Sequence, residues 1–215
     1  MITIKLPITL SEEDKKKVLE IQKQQSSVIR AAHSMLSRKD MKQKDIRKEF
    51  KKYKLGSFMD SWFVQSGTYK GMELFENDKS KKVKQKRIFG GKKNLKDYIN
   101  KKITKDEYKA RKLSKITSIG EAPQKGNRKF SLEVGKVIFK PNKDTKIIIN
   151  LPSLRKNYND AYNKLMIAAQ AKQLPITISL DTNFIYITYD EQKLSSVIRP
   201  DVIKGRSAAI DMNPR

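Results

Sequence analysis

The run KGRSAAIDMNPR, residues 204–215, sets an acid directly behind small apolar residues. Residues 207–210 read as the end of a buried strand, with Asp211 at its tip. An aspartate there has three readings. It is a loop residue that ends a strand at a turn, a metal ligand, or the first carboxylate of a site completed elsewhere. Other acids do not obviously complete such a site. Asp201 lies earlier, beside Pro200, and reads as loop, while Asp181 and Asp190 flank a hairpin and suit its turns. The single histidine, His33, has no candidate co-ligands nearby and reads as a packing or surface residue. There is no cysteine, which excludes a disulfide frame and a thiolate zinc site within these residues.

Polyanion binding has more residues behind it. In the loop GEAPQKGNRKF, residues 120–130, Lys125, Asn127, Arg128 and Lys129 surround Gly126, where bare backbone allows close approach. Arg128 can fork onto a phosphate or a guanine edge, and Asn127 offers both a donor and an acceptor. The same residues also suit a hairpin connector with incidental charge, and the pattern leaves both readings open. From Lys79 to Lys112, fifteen Lys and Arg face three acids, interleaved with Phe89, Tyr98, Tyr108 and several aliphatics. A single lysine in such a run reads as solvated surface. The whole patch, with Arg87, Lys92 and Lys93 around a Gly-Gly turn, suits backbone phosphates, whose neutralisation releases counterions. Tyr69, beside Lys70 and Gly71, is the ring best placed to stack on a base. Phe58, Trp62 and Phe63 read first as a small helical core.

Composition points the same way. The 48 Lys and Arg against 23 Asp and Glu give a formal charge of +25, and a compact body so charged repels itself unless a polyanion offsets it. Nucleic acid is the first partner to expect. An anionic membrane is the second, but peripheral proteins usually show a basic amphipathic helix with a bulky apolar face. The N-terminus MITIKLPITL is too short and polar for a signal peptide, and no apolar run approaches the roughly 20 residues that span a bilayer. The expectation is a soluble, cytoplasmic, nucleoid-associated protein with no membrane partner. At 215 residues the chain suffices for one large domain or two small ones, and its 37% apolar residues suffice for a core.

The elements that must position these residues follow from periodicity. Ile2, Ile4, Leu6 and Ile8 alternate as a strand, with Pro7 marking an edge or a strand end. Thr9 or Ser11 caps a helix reaching about Leu36, with Val18, Ile21, Gln25, Val28, Ala32 and Met35 on one face. MKQKDIRKEFKKY and SFMDSWFVQSGTYKGMELF read as two more helices, and TKDEYKARKL as another, capped by Thr104. After residue 115 the period becomes two: FSLEV, KVIFKP and KIIINLP read as strands, and PITISLDTNFIYITYD as a hairpin turning at 181–183. Between them SLRKNYNDAYNKLMIAAQAKQ reads as one helix, with Leu154, Tyr158, Ala161, Leu165 and Ala168 along a face. A first strand separated from its sheet by about a hundred helical residues indicates an insertion, and a small closed barrel is the expected β architecture.

The stretch RIFGGKKNLKDYINKKITKDEYKARKLSKITSIGEAPQKGNRKF, then VIFKP, then AAIDMNP, resembles TnpB-type proteins of bacterial transposons. These are small RNA-guided DNA endonucleases related to the type V CRISPR effectors. The resemblance covers nearly the whole chain in order, most specifically residues 87–130 and 206–214, and is weak over 11–75. It implies an α+β fold in which a wedge-type barrel (1–9 and 116–198) is interrupted by a helical recognition lobe (10–115). The start of a RuvC-like, RNase H-type nuclease domain would follow at 199–215. By the same resemblance Asp211 matches the first catalytic acid and Mg2+ ligand. A two-metal site needs several carboxylates, and Mg2+ prefers hard oxygen ligands. The family's further acids, and its Zn2+-binding cysteines, would lie beyond residue 215, so the chain corresponds to an N-terminal half.

The resemblance implies guide RNA and target DNA as partners, and a C-terminal half of the same protein as a third. The helical lobe would line the heteroduplex channel, reading shape and phosphate. The barrel, through KGNRKF and VIFKP with Lys140, would grip the guide scaffold. On this reading residues 1–215 bind but do not cleave alone. The alternatives are a guided binder without catalysis, a free-standing nucleic-acid-binding protein, and, last, a binder of anionic membranes or acidic proteins.

Overall fold

The computed structural model describes residues 1–39, 41, 43–52, 59–81, 87–152 and 156–198. Phe58, Leu154, Asp201, Asp211 and the expected nuclease strand in 199–215 lie outside them. The elements run β1 (Ile2–Pro7), α1 (Glu12–Lys39), α2 (Gln43–Lys52), α3 (Ser61–Ser80), α4 (Gly91–Ile99) and α5 (Lys105–Ala110). Then follow β2 (Ile116–Ser118), β3 (Gly120–Glu121), β4 (Gly126–Asn127), β5 (Phe130–Glu133), β6 (Lys136–Phe139) and β7 (Ile147–Asn150). The chain continues through α6 (Lys156–Gln170), β8 (Thr177–Leu180), β9 (Phe184–Tyr189) and α7 (Glu191–Ile198).

The insertion expected from the first strand is present. β1 pairs antiparallel with β9, Ile4 opposite Ile187, although the five helices α1–α5 separate β1 from all other strands. Together with β8 and β2 they form a four-stranded sheet in the order β1-β9-β8-β2. Pro7 lies on β1, an edge strand, where a missing N–H costs no central ladder bond. A second sheet, β5-β6-β7, and a two-stranded ribbon, β3-β4, make up the rest of the β structure among the described residues.

These antiparallel sheets do not close into a barrel, which corrects the expectation of a closed one. One bridge, Thr9 to Asn150, links the end of β1 to β7, and the Ile176 N–H donates to the Gly126 carbonyl at 2.8 Å. The first link ends after a single residue pair because the chain leaves for α1 at once. Ser11 Oγ accepts from the Asp14 N–H, and three acids fill the first turn. The space between the sheets is filled by side chains instead: Phe130 and Phe139 stack at 4.4 Å, Leu165 and Ala168 of α6 are fully buried, and Phe63 of α3 meets Phe139 edge-on. Tyr162, not Tyr158, is the buried ring of α6. Its hydroxyl donates to the carbonyls of Glu133 and Lys136, and burial pushes its pKa above the usual phenol range. Tyr158 is 46% exposed.

Helices α1 and α3 pack through the bare backbone of Gly71. A Cβ there would lie 2.7 Å from both Ala32 Cβ and the Ile29 carbonyl of α1. Behind this contact Ile46 and Phe50 of α2 join Val28, Ala32 and Leu36 in a second, smaller core. No helix among the described residues is long and apolar enough to cross a membrane. Gly71→Ala should therefore push α3 off α1 and cost about 1–3 kcal/mol by urea denaturation. Unchanged stability would mean that the helices do not approach as closely as described.

Candidate nucleic-acid interface

Residues 120–130, the first candidate, hold the fold together as much as they face solvent. Lys125 takes a left-handed conformation (φ 52°) and its side chain is exposed. Asn127 turns inward and is 4% exposed. Its Nδ2 donates to the carbonyls of Ser118 (3.0 Å) and Ile176 (2.9 Å), and its Oδ1 accepts from Ser118 Oγ and the N–H groups of Lys129 and Phe130. The expectation that Asn127 offers its amide to a polyanion is thus corrected: that amide is consumed joining β2, β4 and the start of β8.

The neighbouring cations are partly neutralised. Lys129 Nζ lies 2.6 Å from Asp60, whose other oxygen caps α3 at the Trp62 N–H. The Arg128 guanidinium forks onto Glu121 and lies 4.4 Å over the Trp62 ring. Trp62 is consequently a boundary residue rather than core, with its indole N–H donating to Ser118 Oγ, whereas Phe63 is buried as expected. Lys140, at the end of β6, is exposed.

The second candidate opens onto a cleft of about 650 Å3 between the helical block and the outer face of the four-stranded sheet. Among the described residues its cations are Lys70, Arg87, Arg111, Lys112 and Lys115, and no acidic side chain is in its lining. The sheet contributes hydroxyls, since the alternation that buries Ile187 and Ile178 turns Thr3, Thr188, Thr117 and Ser179 outward. Gly90 and Gly91 also line it. Gly90 caps α4 at φ 85° with no side-chain hydrogen bond, so the positive end of that helix adds to the field of the cations. Lys92 and Lys93 follow in the first turn of α4, both exposed.

The five cations are not equivalent. Arg87 makes two bonds to Asp78 (2.7 and 2.6 Å), and Asp78 also contacts His33 Nε2 at 3.0 Å. The guanidinium, with the imidazole adding to it, holds the Asp78 carboxyl below the ordinary aspartate range. His33, 6% exposed and edge-on to Phe75 and Phe89, is a packing histidine. Lys70 pairs with Glu73, and Arg111 reaches Asp97 at 4.0 Å. Lys112 and Lys115 instead rest on aromatic faces, those of Tyr108 at 4.7 Å and Tyr186 at 3.2 Å. Burial lowers the Lys115 pKa, with Asp181 opposing and Lys70 adding to the effect. Among the described residues Lys115 forms no ion pair, and a partly desolvated ammonium of that kind is where an added anion gains most.

The structure thus gathers Arg87, Lys92 and Lys93 around the cleft and its rim, and Lys125, Arg128, Lys129 and Lys140 around the 120–130 loop. Tyr69, 37% exposed on α3, is not among the residues lining the cleft. Lys70, Arg111, Lys112, Lys115 and Tyr186 were not singled out in the sequence. The signal available for three of them was ARKLSK, cations at 111, 112 and 115 leading into an edge strand. Among the described residues no three His, Asp or Glu form a group able to hold a metal, and Asp211 lies outside them. No protein-family model matches the chain, and no curated protein matches it.

Replacing Asn127 with alanine removes a hydrogen-bond partner from three carbonyls, two N–H groups and the Ser118 hydroxyl. It should cost about 3–4 kcal/mol of stability, against about 1 kcal/mol or less for Arg128→Ala at the surface. Chemical denaturation of both variants checks this, and equal costs would contradict the division between fold and surface in this loop.

Proposed function

We propose that the chain binds nucleic acid in this cleft, as the guide-RNA- and DNA-binding portion of an RNA-guided, divalent-metal-dependent DNA endonuclease of the TnpB type. The observation that carries the reading is the cleft itself, whose described residues bring five cations, hydroxyls and a helix N-terminus and no acid. In a chain with a formal charge of +25, that is the lining a phosphate backbone requires. The resemblance adds to it, because residues 87–91 and 111–117 of the cleft belong to the stretch most similar to the family.

On this reading the interrupted sheet system is a wedge domain, and α1–α5 form a recognition lobe. Base pairing selects the target, while the protein contributes charge and shape. Asp211 would supply one carboxylate to a metal site completed by others, and Mg2+ there would activate water and stabilise the leaving oxygen. The described residues take part in recognition.

Binding of a structured RNA to the full chain should weaken as salt rises, with a log–log slope of about −2 to −4. In the double variant Lys112→Ala/Lys115→Ala the slope should flatten by about 2 units. The RNA that copurifies should resolve on sequencing into discrete species rather than bulk cellular RNA. A salt-independent affinity, or a slope untouched by the two substitutions, would remove the cleft from the account. Bulk RNA would reduce the assignment to unguided binding.

A further inference from the structure

The outer face of the four-stranded sheet carries two aromatic rings that the core does not use. On β9 the alternation buries Ile185 and Ile187 and turns Phe184 and Tyr186 to the opposite side, half-buried, with centroids 6.4 Å apart. Around them the face is mainly hydroxyl and cationic, with the Asp181 carboxylate close to the Tyr186 hydroxyl, where it adds to burial in raising that group's pKa. Thr3 hydrogen-bonds Thr188 across the β1–β9 pair, and Thr117 hydrogen-bonds Ser179 across β2–β8. Lys5 lies 3.8 Å over Phe184, and Lys115 lies 3.2 Å over Tyr186. Tyr186 also lines the cleft, so the platform is continuous with the cationic channel rather than a separate patch.

We infer that Tyr186 and Phe184 stack the unpaired bases of a nucleic-acid strand leaving the cleft, a proposal that rests on the nucleic-acid reading above. Charge complementarity names the occupant, since the face joins a wall whose described residues include five cations and no acid, and lysines flank both rings against the single carboxylate of Asp181. The lysines do not close the site. A cation–π contact at an exposed position favours the covered state by about two- to fivefold, whereas a base stacked on an aromatic ring gains about five- to 150-fold. An arriving base therefore displaces the ammonium, which is then free to meet the adjacent phosphate. Only an unpaired base offers its face in this way, because a duplex keeps its bases stacked inside. Cross-strand packing accounts for aromatic residues on a strand, but not for the placement of Tyr186 in the wall of a cationic cleft with Phe184 beside it.

The test uses the full chain and three probes: an unpaired oligouridine, an oligodeoxyuridine of the same length, and a blunt RNA duplex. Binding is read by fluorescence anisotropy at fixed low salt. Tyr186→Leu and Phe184→Leu, each confirmed folded by circular dichroism, should weaken at least one unpaired strand by roughly tenfold and the duplex by less than about twofold. Tyr186→Phe should retain the affinity of the wild type. Loss on either unpaired strand supports the inference and identifies the source of the bases as RNA or DNA. Equal losses on unpaired and paired probes, or none, overturn it while the cleft still binds. Failure of the unaltered chain to bind any probe overturns both this inference and the nucleic-acid reading.

Discussion

A fully buried glutamine joins the two halves of this molecule. Gln25 of α1 is 0% exposed, and its Nε2 donates to the carbonyls of Phe63 (3.1 Å) and Thr117 (2.7 Å) while its Oε1 accepts from the Thr117 N–H (2.6 Å). The next residue, Ser26, accepts from the Ser114 N–H at 2.8 Å. One turn of α1 thus satisfies the backbone of the edge strand β2 and of the segment leading into it. An unpaired buried amide is costly, so this arrangement fixes register as well as distance. Lys112 and Lys115 stand on that segment. The position of the least neutralised cations relative to the sheet follows from two polar side chains in the interior of a helix.

The distribution of charge gives the two basic regions different tasks. In the 120–130 loop, Arg128 meets Glu121 and Lys129 meets Asp60, so these cations brace β4 and β5 against α3. In the cleft, Asp78 pairs with Arg87 from outside the lining, and the described lining residues carry charge of one sign. Low-dielectric walls bearing one sign of charge concentrate a field in a way that the same lysines scattered on a surface do not. The hydroxyls of the sheet face can hydrogen-bond a backbone or sugar without adding charge of either sign.

Much of the fold was legible in the sequence, for identifiable reasons. Ile4 and Leu6 announced β1, Thr104 and Glu107 form the expected capping box, and strand 2–8 found its partner across the helical block as the interruption implied. Closure of a barrel was not legible, because it depends on how many residue pairs β1 and β7 share before Ser11 starts a helix. Gln25 appeared in the sequence only as one member of an otherwise apolar face, since a polar residue at a core position reveals a partner's existence but not its identity. The candidate site divided along the same line. A count of cations found the region, but only the fold separates Asn127, turned inward, from Lys112 and Lys115, turned to the cleft. Phe184 and Tyr186 looked like ordinary strand aromatics until the alternation of β9 placed them outside the core.

Nucleic acid seated in the cleft shields a different set of lysines from nucleic acid coating a cationic surface. Lysine acylation read by mass spectrometry, with and without a structured RNA, measures this residue by residue. With RNA in the cleft, Lys70, Lys112 and Lys115 should lose reactivity together, while Lys164 on α6 and Lys193 on α7, both exposed, react as before. Protection spread evenly over all exposed lysines, or confined to Lys125 and Lys140, would contradict it.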